Sequence, residues 1–167
     1  MDLHRNGVIE VFVGSISASE NQPNGLDLDN FRTFEQRLEV LGLEVLPRVF
    51  PVFRLGMSYL GEAVLGGEDD QDLEEEIRSV VHPNSEGSYA DHANAKNLDI
   101  DRPIDSRWRN AQCDIDGLMA HIREGHDIFV TEDRHFVSES RRPRLIALGA
   151  GRILTPHEAL AFVTSSS

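Results

Sequence analysis

The sequence predicts an α/β domain with a mainly parallel sheet, on three observations. Short runs of β-branched and aromatic residues at 8–13 (VIEVFV), 127–131 (DIFVT) and 152–154 (RIL) alternate with stretches whose apolar residues recur at helical spacing. The 127–131 run is continuously apolar at its centre, as in strands covered on both faces. The helical stretches end in the punctuation that helices use: Gly42, Gly125 and Gly149 follow C-termini, and Thr155-Pro156 opens an N-terminus.

The elements follow in order. Asn6-Gly7 is turn chemistry ahead of the first strand, and residues 14–20 end that strand. Residues 21–29, rich in Asn, Pro, Gly and Asp, read as an exposed loop. Asn30 is placed to cap a helix carrying Phe31, Phe34, Leu38 and Leu41 on one face. Residues 43–55 are extended, and Pro47 and Pro51 argue for an edge strand or a broken ladder rather than a central strand. A short helix is expected over 57–65. The acidic run 68–76 (EDDQDLEEE) reads as a solvated helix face leading into Ile77, Val80 and Val81. Residues 82–103 turn to His, Asn, Asp, Ser, Gly and Ala, so about 66–105 is expected to be an acidic, mobile insertion within a single domain of residues 1–167. A helix over 106–124 uses Trp108, Ile115, Leu118 and Ile122 as core residues. The DIFVT strand, a brief helix over 143–148, the RIL strand and a final helix from Thr155 complete the chain.

Composition narrows the function. The 167 residues are 40% hydrophobic and 27% charged, as in ordinary globular proteins. No apolar run approaches the roughly 20 residues of a membrane span, and the start carries no basic-then-apolar leader. Cys113 is the only cysteine, so no internal disulfide forms, and a cytoplasmic location is expected. Acids outnumber bases 29 to 16, for a net charge of −13. A nucleic-acid role must therefore rest on a local basic patch or on metal ions. The nearest patch in sequence is Arg141, Arg142 and Arg144, which also reads as a solvated helix start.

Active sites of parallel sheets gather at the carboxyl ends of strands. Glu20 follows the first strand, and Glu132-Asp133 follow DIFVT. The helix between carries Asp114 and Asp116. Carboxylates drawn from separate elements suit hard cations such as Mg²⁺ or Mn²⁺, which take oxygen ligands and bind phosphate in their remaining positions. Single acids at strand ends are also common as turn and helix caps.

The stretch 114–162 carries a resemblance. Its Asp on a helix, the strand ending Thr131-Glu132-Asp133-Arg134-His135-Phe136, the short helix LIALG at 145–149 and the strand running into Thr155-Pro156-His157-Glu158 resemble the end of a PIN domain, over roughly a third of the chain. The strand VIEVFV followed by Ser19-Glu20-Asn21 resembles the segment that presents that family's second acid. The resemblance implies a three-layer PIN-like fold and metal-dependent hydrolysis of single-stranded RNA, leaving 3′-hydroxyl and 5′-phosphate ends. It further implies Glu20, Asp114 and Asp133 as metal ligands, Asp116 in reserve, Thr131 as an orienting hydroxyl, and Mg²⁺ or Mn²⁺ as cofactor. The family opens with a central strand ending in Asp, and nothing in this chain matches it. An internal start, an inactive relative or a segment supplied from elsewhere would each account for the gap. RNA is the expected ligand; an antitoxin-like protein or a second copy is the partner in the alternative reading, a catalytically degenerate binding module. The long insertion is unlike compact PIN toxins.

Other residues carry weaker signals. His121 and His126, five apart, do not share a helix face and make a poor zinc pair. His135 could touch phosphate or support its neighbours. Cys113 reads as a buried, inert thiol. Trp108 between Arg107 and Arg109 reads as a core residue flanked by solvated cations, with base stacking as the alternative. No Gly-rich phosphate loop and no Gly-x-Ser-x-Gly elbow is present.

Overall fold

The computed structural model describes residues 2–20, 31–100 and 103–165. In chain order these form α1 (Asp2–Arg5), β1 (Val13–Gly14), a 3-10 turn (Ser15–Ala18), α2 (Phe31–Leu41), β2 (Arg48–Val49), α3 (Glu68–Val81), α4 (Tyr89–Lys96) and α5 (Ser106–Arg123). Then come β3 (Ile128–Val130), α6 (Arg134–Val137), α7 (Arg142–Leu145), a π-type turn (Ile146–Ala150), β4 (Arg152–Leu154) and α8 (Pro156–Ser165). The class is mixed helix and sheet, and among the described residues all strand pairing is parallel. No described helix is long and apolar enough to cross a membrane. The expected loop over 21–29 and the Asn30 cap lie outside the described residues.

The single sheet expected from the sequence is instead two separate pairs. β1 lies beside β2 (Val13 opposite Arg48), and β3 beside β4 (Phe129 opposite Ile153). Among the described residues no strand joins the pairs. Only the last residue of the expected 8–13 strand enters a ladder, because a strand persists only where a neighbour takes up its N–H and C=O groups. Side chains cross the gap instead: the Phe12 ring lies 4.2 Å from that of His126, just ahead of β3. The helix expected over 57–65 is absent. Turns run there, and Val64 forms a parallel bridge with Val52.

α5 is the axis of the molecule, and its limits follow local chemistry. The Asp105 carboxylate accepts the N–H groups of Arg107 and Trp108 at the N-terminus. Gly125, at φ +70°, lets the chain turn away after the C-terminus. Ile115, Leu118 and Met119 pack against Ile77, Val80 and Val81 of α3 and against Phe136, Leu145 and Ile153. Ten such buried residues form the main core.

α3 therefore corrects the expectation of a mobile acidic insertion. Its apolar face is part of the core, and only part of the acidic run faces water. Glu74 turns inward, where it pairs with Arg54 at 2.7 Å and with Arg78. α4 is likewise ordered, with Ser88 accepting the Asp91 N–H at its start and Asn97 in the left-handed conformation at its end. The described residues 82–100 read as polar in sequence because caps and buried hydrogen bonds, rather than large apolar side chains, hold them.

Candidate metal centre

Five side chains from four segments meet on one flank of α5. The first is Glu20, which follows the 3-10 turn. The Ser19 hydroxyl donates to the Met57 carbonyl at 2.7 Å, and the Arg109 guanidinium reaches the carbonyls of Ser19 (3.5 Å) and Gly56 (3.2 Å). Arg109 is thus buried and structural, not the solvated cation its position beside Trp108 suggested. It ties the turn that carries Glu20 to α5.

Asp114 lies in the middle of α5, half-buried. Asp133 caps α6 at the carboxyl end of β3, with its Oδ1 accepting the His135 N–H at 2.7 Å. The Thr131 hydroxyl oxygen accepts the Asp133 N–H at 3.1 Å, so Thr131 shapes the turn that aims Asp133. Glu20 registers the convergence: burial first, then the negative charges of Asp114 and Asp133, push its carboxyl up to about 7.

Two histidines complete the cluster. His82 follows the last residue of α3 and puts Nε2 2.8 Å from Asp114 Oδ2. Its ring lies 4.6 Å from that of His135, on α6. Donor atoms of His82, Asp114 and His135 all lie within 4.8 Å of one another. His135 Nδ1 is buried and makes no hydrogen bond among the described residues.

Composition does not single out His82, because it opens a polar segment with few large apolar residues. The usable signal was its place one residue beyond the apolar face of α3, where the chain must still be close to the core.

Asp116 is not part of this cluster. Two residues along a helix is a turn of about 200°, so Asp116 faces away from Asp114. There it is 1% exposed and accepts from Arg54 Nη2 at 2.6 Å and from Gln112 Nε2 at 3.0 Å. Burial opposes the charge on Arg54, but its bonds to Asp116 and Glu74 raise its pKa above the ordinary value. This is a buried ion-pair network joining α3, α5 and the chain near residue 54.

His121 is also structural. It is buried, its Nε2 lies 2.9 Å from the Ala150 carbonyl, and burial lowers its pKa. His126 packs on Phe12. Burial raises the Cys113 thiol well above its usual range, as expected of an inert cysteine.

A cleft of about 320 Å³ opens beside the cluster, with His82, His135, Lys96, Arg107 and Arg141 in its lining. Arg107 and Arg141 close no ion pair among the described residues, and Lys96 acts on Glu86 through its field. These cations come from α4, α5 and the start of α7, so the basic patch is a product of folding, and of the sequence triplet only Arg141 belongs to it. A larger cleft of about 480 Å³ lies by Arg54, Glu68, Asp70 and Glu74. Its cation is already committed to Asp116 and Glu74, so it offers little to a ligand.

Compared with known proteins, the chain matches no family model, no curated protein and no solved structure. The functional reading therefore rests on this geometry and on site chemistry.

Proposed function

We propose that the protein is a PIN-like, divalent-metal-dependent ribonuclease acting on single-stranded RNA, with Glu20, Asp114 and Asp133 as its carboxylates. One observation carries the reading: three acids far apart in sequence are held close enough that Asp114 and Asp133 help keep a proton on Glu20 up to about pH 7. Such crowding destabilises the metal-free fold, and proteins retain it chiefly where it serves a site. A bound divalent cation supplies relief of that repulsion, polarisation of phosphoryl oxygens and a water acidic enough to react at neutral pH.

The chain's own residues do the rest. Thr131 fixes the turn that aims Asp133, and Arg109 anchors the turn that aims Glu20. Lys96, Arg107 and Arg141 offer phosphate contacts beside the cluster, which answers the objection raised by a net charge of −13. The order α5–β3–α6–α7–β4–α8 supports a PIN-like C-terminal half.

The second reading is a degenerate PIN-like module that binds a protein, an antitoxin-like partner or a second copy. It draws on the two strand pairs with nothing described between them, since an unpaired strand edge invites an added strand.

Cleavage of a labelled single-stranded RNA decides between them. Cutting with Mn²⁺ that is lost with EDTA and with Asp133→Asn supports the ribonuclease. A folded wild-type protein that leaves the RNA intact at every metal concentration refutes it and favours the binding module.

A further inference from the structure

We infer that His82 and His135 join Asp114 in a mixed nitrogen–oxygen site that selects a borderline transition ion of the Zn²⁺ or Co²⁺ class over Mg²⁺. The inference rests on the ribonuclease reading for the location of the centre, and departs from it in the identity of the ion and of two of its ligands.

Geometry comes first. Ligand atoms held at about 2.1 Å from one cation stand at most about 4.2 Å apart. The widest separation allowed among the donors of His82, Asp114 and His135 is 4.8 Å, so about 0.6 Å of movement gathers them. Rotation of exposed or half-buried side chains supplies that much without moving the backbone. The backbones are set by packing, because His82 directly follows α3, Asp114 lies within α5 and His135 lies on α6, and these helices share one core through Ile77, Val81, Ile115, Leu118 and Phe136.

The second observation concerns hydrogen bonding. A buried imidazole nitrogen without a partner is disfavoured, and native structures seldom keep one without a reason. His135 Nδ1 is such an atom, as are His92 Nε2 and His126 Nε2, but of the three only His135 belongs to a cluster of metal-ligating side chains among the described residues. His82 Nε2, 2.8 Å from Asp114 Oδ2, occupies with a shared proton a place where a cation would satisfy both groups.

Donor type sets the ion. Mg²⁺ favours oxygen ligands in near-ideal octahedral geometry and keeps much of its water. Imidazole suits Zn²⁺ and its neighbours, whose affinity for nitrogen sites rises along the first row. Two imidazoles and one carboxylate, with a position left open, form the kind of set that holds a catalytic rather than a structural ion. His82 and His135 also line the cationic cleft, so the open position adjoins a place where an anion could sit. The competing account is a plain His82–Asp114 ion pair with His135 packed against it and no metal role.

The test is Co²⁺ titration of tag-free, metal-stripped protein, read by visible absorption, with Zn²⁺ competition in excess Mg²⁺. One Co²⁺ should bind with the intense spectrum of a low-coordinate nitrogen-containing site, be displaced by Zn²⁺ and withstand Mg²⁺. His82→Ala and His135→Ala should each weaken binding beyond the roughly 10–100-fold that loss of a supporting contact brings. His157→Ala, on exposed α8, should leave it unchanged.

A pale, octahedral wild-type spectrum, or equal displacement by Mg²⁺, overturns the inference without recourse to any variant. So does unchanged binding in folded His82→Ala and His135→Ala. Histidine-dependent Co²⁺ binding by a protein that cuts no RNA upholds the inference and refutes the ribonuclease. Mg²⁺-supported cleavage that survives both histidine substitutions, without histidine-dependent Co²⁺ binding, does the reverse.

Discussion

Replacing Glu20 with Gln should make the metal-free protein more stable at pH 8 and leave its stability at pH 4.5 nearly unchanged. In the fold the carboxyl titrates at about 7 instead of the ordinary 4.5. A carboxyl pKa raised by folding means that the folded state holds a proton which the unfolded state releases. The favourable contribution is therefore present below 4.5 and is lost as pH rises through 7. A tenfold difference in proton affinity between the folded and unfolded states corresponds to about 1.4 kcal/mol, so ionised Glu20 disfavours the fold by at most about 3–4 kcal/mol. Partial exposure to water brings the expected figure nearer 1–3 kcal/mol. Gln is uncharged at every pH and removes this cost. For a chain of this size about 2–4 °C accompany each kcal/mol, so a rise of roughly 2–12 °C in Tm is expected at pH 8. Thermal unfolding followed by circular dichroism, in EDTA at both pH values, measures it. Mn²⁺ should stabilise the wild type at pH 8 more than the variant, since it relieves the same repulsion. A variant less stable than wild type at pH 8, or a difference that does not change with pH, refutes the reasoning.

Three further outcomes follow from other parts of the molecule. Changing Lys96, Arg107 and Arg141 together to Ala should weaken RNA binding and reduce the log–log salt slope by about 2, as each single-strand phosphate contact contributes about 0.7; fluorescence anisotropy in an Asp133→Asn background reads both. Arg54→Met strands the buried Asp116 without its cation and should lower stability by about 3–5 kcal/mol in urea unfolding, with much of the loss recovered by adding Asp116→Leu. Gly151 lies at φ +60°, and a Cβ there meets the Asp127 carbonyl, so Gly151→Ala should destabilise by at least about 1–3 kcal/mol in the same assay and loosen the β3–β4 pair.

The C-terminal half was the most legible part of the chain. β4 lies over the expected residues, and α8 begins as expected at Pro156, where Thr155 and Glu158 exchange capping hydrogen bonds. α5 was equally plain, since Trp108, Ile115, Leu118 and Ile122 mark a long helical stretch that Gly125 closes, although its Asp105 cap emerged only in the structure. The N-terminal half was harder to read. Residues 8–13 have strand composition, yet pairing requires a neighbour that composition cannot reveal. Residues 57–65 have apolar spacing short enough to suit either a helix or turns.

At the candidate site the sequence marked acids after two strands and on the helix between them, and the PIN resemblance picked out Glu20, Asp114 and Asp133 among these. Asp114 and Asp116 could not be ranked by residue type. Helical rotation separates them, directing one to the cleft flank and the other to Arg54. His82 and the cations Lys96, Arg107 and Arg141 were not assembled at all, because they stand on different elements.

By itself, then, the sequence determined the α/β class, the helix limits set by caps and glycines, the burial of Cys113 and the acidic balance of the whole. These are properties of neighbouring residues and of composition. The division of the sheet into two pairs, the place of α3 in the core and the meeting of His82, Asp114 and His135 were decided only in three dimensions. Each depends on which distant segments share one packed core, and nothing local in the chain encodes that.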